Sequence, residues 1–135
     1  MFLWHARVYW EDTDAGGIVY YANYLRFLER ARSEWLRGLG VSQRALVQDP
    51  GIVFSVVGLE LEYLRPARLD DLLAISCEPG PAAGARLAFR QRIWRDGAEG
   101  ELLLEAGVRI ACLDALRLKP RRLPRVLAGD PAGSQ

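Results

Sequence analysis

The chain has 135 residues, of which 50% are hydrophobic and 26% charged, and its formal net charge is +1. This length and composition are typical of one globular domain, which buries about two-thirds of its unfolded surface. The near-neutral charge gives no electrostatic basis for binding nucleic acid or a membrane surface. No apolar run approaches the roughly 18 residues of a membrane-spanning helix.

Strand and helix periods divide the first third of the chain. Alternating residues over His5–Trp10 predict a first strand, and residues 11–17 form a loop. Asn23–Leu39 then has a helical period, ended by Gly38 and Gly40. The apolar face predicted for this helix consists of Tyr24, Leu25, Leu28, Ala31, Trp35, Leu36 and Leu39.

The rest of the chain reads mostly as strands. A short helix follows a Ser42 cap and ends at Pro50 and Gly51. Strands are predicted over residues 52–65, 72–78, 85–95 and 101–114. Residues 79–84 are expected to be a Gly/Pro/Ala loop, and Asp96-Gly97 a hairpin turn. One long helix and about five strands indicate a single α+β domain over residues 1–135, with an antiparallel sheet and a tail that frays over roughly 126–135.

Cys77 and Cys112 have no CxxC spacing and lie in apolar runs. We expect buried free thiols and a cytoplasmic location, with a disulfide as the alternative. The single histidine, His5, excludes a histidine metal cluster, and no glycine-rich nucleotide-binding motif occurs.

The stretch EDTDAGG at residues 11–17 stands directly before the long helix and is the main candidate for chemistry. An ionised carboxylate such as Asp14 can act as a nucleophile or as a general base. Free N–H groups at the first helical turn, near Tyr21, can polarise a carbonyl oxygen. Together these groups suit acyl transfer or hydrolysis. The alternative is an ordinary turn whose acids cap the helix.

The segment RVYWEDTDAGGIVYYANYLRFLERAR resembles the signature region of the 4-hydroxybenzoyl-CoA thioesterase family in the hotdog-fold superfamily. It is most similar to the Tol–Pal-associated (YbgC-type) acyl-CoA thioesterases. The similarity extends to YLRPARLDDLLAIS at 63–76, RLAFRQRI at 86–93 and ACLDALRLKPRRLP at 111–124. It therefore covers nearly the whole chain.

The resemblance implies a hotdog fold, in which a sheet of about five antiparallel strands wraps one central helix. It also implies an acyl-CoA thioesterase that needs no metal and no cofactor, and homodimers commonly paired into tetramers, with the substrate held between subunits. By position, Asp14 becomes the catalytic carboxylate and the Tyr21 N–H the carbonyl-polarising donor. Tol–Pal-type members commonly carry histidine where this chain has Tyr21, and a phenol with a pKa near 10 is a poor base at neutral pH. The acyl group, the carrier (CoA or acyl carrier protein) and the choice between nucleophile and base for Asp14 stay open.

Substrate contacts are expected from Gly17, Val19, Tyr20 and Tyr24 in the pocket, with a core role as the alternative for the apolar side chains. Arginines can clamp CoA phosphates, which makes Arg90 and Arg92 candidates, together with Arg121 and Arg122. Two other functions compete with hydrolysis. One is a non-catalytic module that binds acyl thioesters or an envelope partner, and the other is a hydroxyacyl-thioester dehydratase, which usually needs a histidine beside its carboxylate.

Overall fold

The computed structural model describes residues 1–128. Its strands are β1 (Phe2–Arg7), β2 (Ile52–Tyr63), β3 (Leu72–Ala83), β4 (Arg86–Arg95) and β5 (Glu101–Asp114), and its helices are α1 (Tyr24–Gly38) and α2 (Gln43–Gln48). Short 3-10 turns occupy Trp10–Asp12, Tyr21–Asn23 and Arg125–Leu127. The predicted α+β class is confirmed.

The five strands form one antiparallel sheet in the order β1-β3-β4-β5-β2. β1 pairs with β3 from Phe2 opposite Cys77 to Arg7 opposite Leu72. This order places β3, β4 and β5 inside the sheet and leaves β1 and β2 at its edges.

The structure corrects several predicted boundaries of the sheet. β1 begins at Phe2 instead of His5, and β2 ends at Tyr63 instead of residue 65. Two further differences have a visible cause. The first strand ends at Arg7 instead of Trp10, because Asp12 Oδ2 accepts a hydrogen bond from the Tyr9 N–H at 2.9 Å and starts a 3-10 turn there. The expected loop over 79–84 is strand as far as Ala83. Its prolines lie beyond Cys77, the last residue of β3 that pairs with β1, so they are tolerated as on an edge strand.

The predicted long helix is confirmed, but its apolar face differs in detail. Leu28 and Ala31 are fully buried, whereas Leu25 and Leu39, expected on the same face, are 38% and 43% exposed. Phe27, which the predicted stripe omitted, is buried instead. The helix therefore faces the sheet with a stripe rotated slightly from the predicted one.

By the density of its internal contacts, the chain forms two compact units. The first comprises Met1–Trp35, Leu61–Glu78 and Arg90–Ala106, and its core includes Leu28, Ile75 and Leu104. The second comprises Leu36–Glu60, Pro79–Phe89 and the described residues from Gly107 to Ala128, with Ile52, Val108 and Leu127 in its core. The expectation of one domain over 1–135 stays a prediction.

Other local predictions are met closely. Ser42 caps α2 by accepting a hydrogen bond from the Ala45 N–H at 3.2 Å, and Asp96 and Gly97 both adopt positive φ in the turn after β4. The cysteines are free and buried, and burial raises the pKa of the Cys77 thiol to about 12. In the expected frayed tail, Leu127 is buried in a 3-10 turn, and residues 129–135 lie outside the described part of the chain.

Candidate active site

Backbone hydrogen bonds close residues 13–19 into a compact loop. An isolated β-bridge joins Thr13 to Val19. Inside it, the Asp14 N–H donates to the Ile18 carbonyl at 2.9 Å, and the Gly17 N–H donates to the Asp14 carbonyl at 3.1 Å. Gly17 has a φ of +82°, in the left-handed region that favours glycine. The loop is thus built by its own backbone, with glycine where the chain reverses.

The loop presents the Asp14 carboxylate to solvent. Asp14 is exposed, and its Oδ1 accepts a hydrogen bond from the Gly16 N–H at 2.8 Å. Among residues 1–128, no group donates to the second carboxylate oxygen, Oδ2. One oxygen therefore fixes the side chain, and the other is free to meet a substrate or a water molecule.

The start of the helix is tied to the same loop through the Asp12 carbonyl. That oxygen accepts from the Tyr20 N–H and from Asn23 Nδ2, each at 2.9 Å. The Asn23 N–H donates to the Tyr20 carbonyl at 2.8 Å. Within the described residues, the Tyr21 N–H donates to no protein acceptor, as expected of a donor at the first turn of a helix.

Tyrosine side chains surround this turn. The Tyr63 hydroxyl, at the end of β2, donates to the Tyr21 carbonyl at 2.9 Å. The rings of Tyr63 and Tyr24 meet edge to face with centroids 5.4 Å apart, and those of Tyr20 and Tyr21 are 4.8 Å apart. Burial raises the pKa of Tyr24 and of Tyr63, so both phenols stay protonated at neutral pH.

The four residues predicted as pocket contacts fall into two groups. Tyr20 is exposed, and Gly17 is partly exposed beside Asp14. Val19 and Tyr24 are each only 3% exposed. They join the loop to the β2–β3 connection: the Val19 N–H donates to the Ala67 carbonyl at 2.9 Å, and the Tyr24 hydroxyl accepts from the Ala67 N–H at 3.0 Å. Their burial fits the core role that the sequence left as an alternative, and their contact with substrate stays a prediction.

The predicted phosphate-binding arginines are in different states. Arg90 is exposed on β4. Arg92 forms ion pairs with Glu105 at 3.0 Å and with Glu78 at 3.7 Å. Arg121 pairs with Asp114 at 3.1 Å, and Arg122 is exposed. The guanidinium groups of Arg92 and Arg121 are therefore engaged in ion pairs within the chain, whereas Arg90 and Arg122 are exposed to solvent.

Three contributors to the site were missed by the sequence reasoning. Tyr63 and Asn23 fix the backbone around Tyr21, as described above. Arg95 supports the connection that holds Val19, since its Nη2 donates to the Pro66 carbonyl at 2.8 Å and its Nη1 pairs with Asp71 at 3.3 Å. Asn23 sits at the helix start, where a side-chain hydrogen bond is common. No local pattern marks Tyr63 or Arg95, whose partners are distant in sequence.

A groove of about 680 Å³ lies beside the loop and is lined by Tyr9, Trp10, Glu11, Leu69 and Asp70. Neither Asp14 nor Tyr21 lines it. In the part of the chain that the structure describes, no three His, Cys, Asp or Glu side chains gather as a metal site would require, and no helix is long and apolar enough to cross a membrane.

Comparison with known proteins identifies related chains. Residues 16–101 match the family model described as "Thioesterase superfamily", a range that begins just after Asp14. The chain is 48% identical to a protein of Escherichia coli O6:H1 named "Acyl-CoA thioester hydrolase YbgC", over 96% of this chain and 95% of that protein.

Two solved structures with a similar fold are also described as thioesterases. A probable thioesterase from Bartonella henselae is 40% identical, covers 90% of this chain and 98% of its own, and superposes with a TM-score of 0.84. A 4-hydroxybenzoyl CoA thioesterase, solved as an aspartate-to-asparagine mutant with 4-hydroxybenzoyl CoA, is 25% identical with a TM-score of 0.83. It covers 91% of this chain and 92% of its own. The expected hotdog fold is thereby confirmed.

Proposed function

The chain belongs to the thioesterase superfamily, and from this we propose that it hydrolyses acyl-CoA thioesters to a free acid and CoA. The names of its relatives support the reaction, and the loop at residues 12–23 supports a chemistry for it. One observation carries the proposal. The exposed carboxylate of Asp14 and the unpaired N–H of Tyr21 belong to one hydrogen-bonded loop, whose Asp12 carbonyl binds the helix start.

In the proposed reaction, the Tyr21 N–H donates a hydrogen bond to the thioester carbonyl oxygen and stabilises negative charge as it develops there. Asp14 acts in one of two ways. As a nucleophile, its Oδ2 attacks the carbonyl carbon, CoA leaves as a thiolate, and water hydrolyses the resulting anhydride. As a general base, it takes a proton from a water molecule that attacks the same carbon. Both routes consume one water and release an acid and CoA.

The side chain of Tyr21 has no proton-transfer role in this proposal. Its phenol is 64% exposed, and the oxyanion is met by the backbone N–H instead of the ring. Only its backbone is needed, which is why tyrosine can stand where related enzymes have histidine. Gly17 and Tyr20 border the acyl group in this proposal, and Arg90 is the leading candidate for a CoA phosphate.

The test is Asp14→Asn, assayed by release of free thiol from short, long and aromatic acyl-CoAs. Asparagine keeps an oxygen that can accept the Gly16 N–H, so the loop should be retained while the charge is lost. General-base catalysis alone is worth about 10²–10⁴ in rate, and we expect kcat to fall by at least about 10².

Glu11→Gln is the matched control, because it removes a negative charge from the 3-10 turn just before the loop, at an exposed position that makes no contact in the proposed reaction. It should retain wild-type turnover. Near-wild-type activity of Asp14→Asn would overturn the assignment of Asp14. Binding of acyl-CoA by the wild-type chain without any turnover would instead favour the non-catalytic alternative.

The working form is proposed to be a homodimer, with pairing of dimers into tetramers as a further step. β2 is at the edge of the sheet and exposes Val56, Val57 and Leu59 by 46%, 48% and 38%. Exposed apolar side chains on an edge strand with unpaired backbone groups favour pairing with another chain. Sedimentation velocity measures the assembly directly. We propose a cytoplasmic location, where free cysteines such as the two in this chain stay reduced.

A further inference from the structure

The Tyr63 hydroxyl donates a hydrogen bond to a distant part of the backbone, although water could have accepted it. It reaches the Tyr21 carbonyl, 42 positions away in the chain, at 2.9 Å. The side chain is 48% exposed, so the hydroxyl could have been satisfied by water. The bond instead ends on the backbone of the one residue whose N–H is proposed to polarise the substrate.

Three successive peptide groups surround Tyr21: the one before Tyr20, the one between Tyr20 and Tyr21, and the one after Tyr21. Each is fixed by one hydrogen bond. The group before Tyr20 is held by its N–H bond to the Asp12 carbonyl. The group between Tyr20 and Tyr21, which carries the proposed donor, is held through the Tyr20 carbonyl by the Asn23 N–H. The group after Tyr21 is held by Tyr63. Of these three restraints within the described residues, the bond from Tyr63 is the one that comes from the sheet.

The ring of Tyr63 is itself oriented. It packs edge to face against Tyr24 at a centroid distance of 5.4 Å, and Tyr24 is anchored by the Ala67 N–H to its hydroxyl at 3.0 Å. A phenol held in this way loses little conformational freedom when it forms its hydrogen bond. Burial raises the pKa of Tyr63, which keeps it protonated and able to donate.

We propose that Tyr63 is a positioning residue for the thioesterase reaction: its hydroxyl holds the Tyr21 backbone so that the adjacent N–H points at the thioester carbonyl. This rests on the proposed function. Tyr63 does not touch the reacting atoms in this role. Its effect belongs to the transition state, because an oxyanion is more sensitive to the direction of its donor than the ground-state carbonyl is.

The test is Tyr63→Phe, which removes the hydroxyl and keeps the ring against Tyr24. A lost restraint of one neutral hydrogen bond corresponds to a fall in kcat of about 2- to 12-fold. KM should stay within about twofold, and the midpoint of thermal unfolding within about 3 °C, since the bond is at the surface. Tyr9→Phe is the matched control: Tyr9 is 63% exposed and has no part in the turn, so its kcat should be that of the wild type.

The outcomes are distinguishable. A wild-type chain that cleaves acyl-CoA, with Tyr63→Phe equal to it in kcat, overturns the role of Tyr63 and leaves the proposed function standing. A Tyr63→Phe loss confined to KM, or one that accompanies a large fall in the unfolding midpoint, also overturns it, since the residue would then bind substrate or support the fold. A wild-type chain without turnover overturns the proposed function and this inference together.

Discussion

Gln91 is the polar group on which the stability of the first compact unit should depend most. It lies on β4 with no solvent exposure. Its Nε2 donates to the Leu28 carbonyl of α1 at 3.0 Å and to the Ser76 carbonyl of β3 at 3.2 Å, and its Oε1 accepts from Arg32 Nη1 at 3.0 Å. One side chain thus joins the helix to two strands in the middle of an apolar core.

The cost of removing it follows from these three bonds. We consider Gln91→Met, which keeps an unbranched chain of similar length and removes every polar atom. Two neutral bonds contribute about 1 kcal/mol each, and the bond to the charged guanidinium about 1.5–3 kcal/mol. The free energy of unfolding should therefore fall by about 3.5–5 kcal/mol, and the thermal midpoint by roughly 10–20 °C. Burial already lowers the pKa of Arg32, so its guanidinium is costly to leave without this acceptor.

Urea unfolding followed by circular dichroism, at one protein concentration for all variants, measures this loss. Gln48→Met, at an exposed position on α2, is the control and should change stability by less than about 0.5 kcal/mol. A double-mutant cycle with Arg32→Met should give a coupling energy of about 1.5–3 kcal/mol. A Gln91→Met loss below about 1 kcal/mol would refute the claim that these buried bonds hold the helix on the sheet.

Two further predictions concern a loop and a titrating group. Gly100→Ala should destabilise the fold by about 1–3 kcal/mol, because the added Cβ would overlap the backbone carbonyl of Arg95. Gly107→Ala is the control and should be close to neutral, because the nearest atom to its added Cβ would be Glu60 Oε1 at 3.9 Å. Equal losses of stability in the two variants, measured by thermal unfolding, would contradict the steric reason. Asp114 has its pKa lowered below the usual 3.8 by hydrogen bonds from the N–H groups of Arg117 and Leu116 and by Arg121. The ionised carboxylate therefore stabilises the fold above pH 3.8, and this stabilisation is lost as the pH falls through the lowered pKa. Asp114→Asn should have a lower thermal midpoint than the wild type at pH 7, and the difference between the two midpoints should narrow in acid. A difference that widens in acid would contradict the lowered pKa.

Local patterns predicted most of the elements but not all of their ends. The helical period of residues 23–39 and the β-branched run from Ile52 identified α1 and β2, because in each a buried face repeats along the chain. The end of β1 was placed too late, because a side-chain contact from Asp12 to the Tyr9 N–H outweighs the alternation that continues to Trp10. The prolines after Cys77 suggested a loop, because the sequence does not reveal that β1 stops pairing there.

For the candidate site, the sequence identified Asp14 as a candidate acid but not the side chains that hold the surrounding backbone in place. Asp14 and the helix start at Tyr21 are neighbours in the chain, and their juxtaposition follows from a carboxylate, two glycines and a helical period. Tyr63 and Arg95 act through contacts that only the assembled sheet creates. Nothing in the residues around them distinguishes these side chains from surface tyrosines and arginines elsewhere.

The Asp12 carbonyl, which accepts both the Tyr20 N–H and Asn23 Nδ2, has a consequence for how the site can change. It ties the loop of Asp14 to the turn of Tyr21 within a dozen residues, so core residues that contact neither this segment nor Tyr63 and Arg95 have little part in the spacing between them. Substitutions in the distant core would then alter the half-life of the protein far more than its rate per folded molecule. Stability and activity should thus be separable in laboratory evolution, provided that the length of the loop between Thr13 and Val19 is left unchanged.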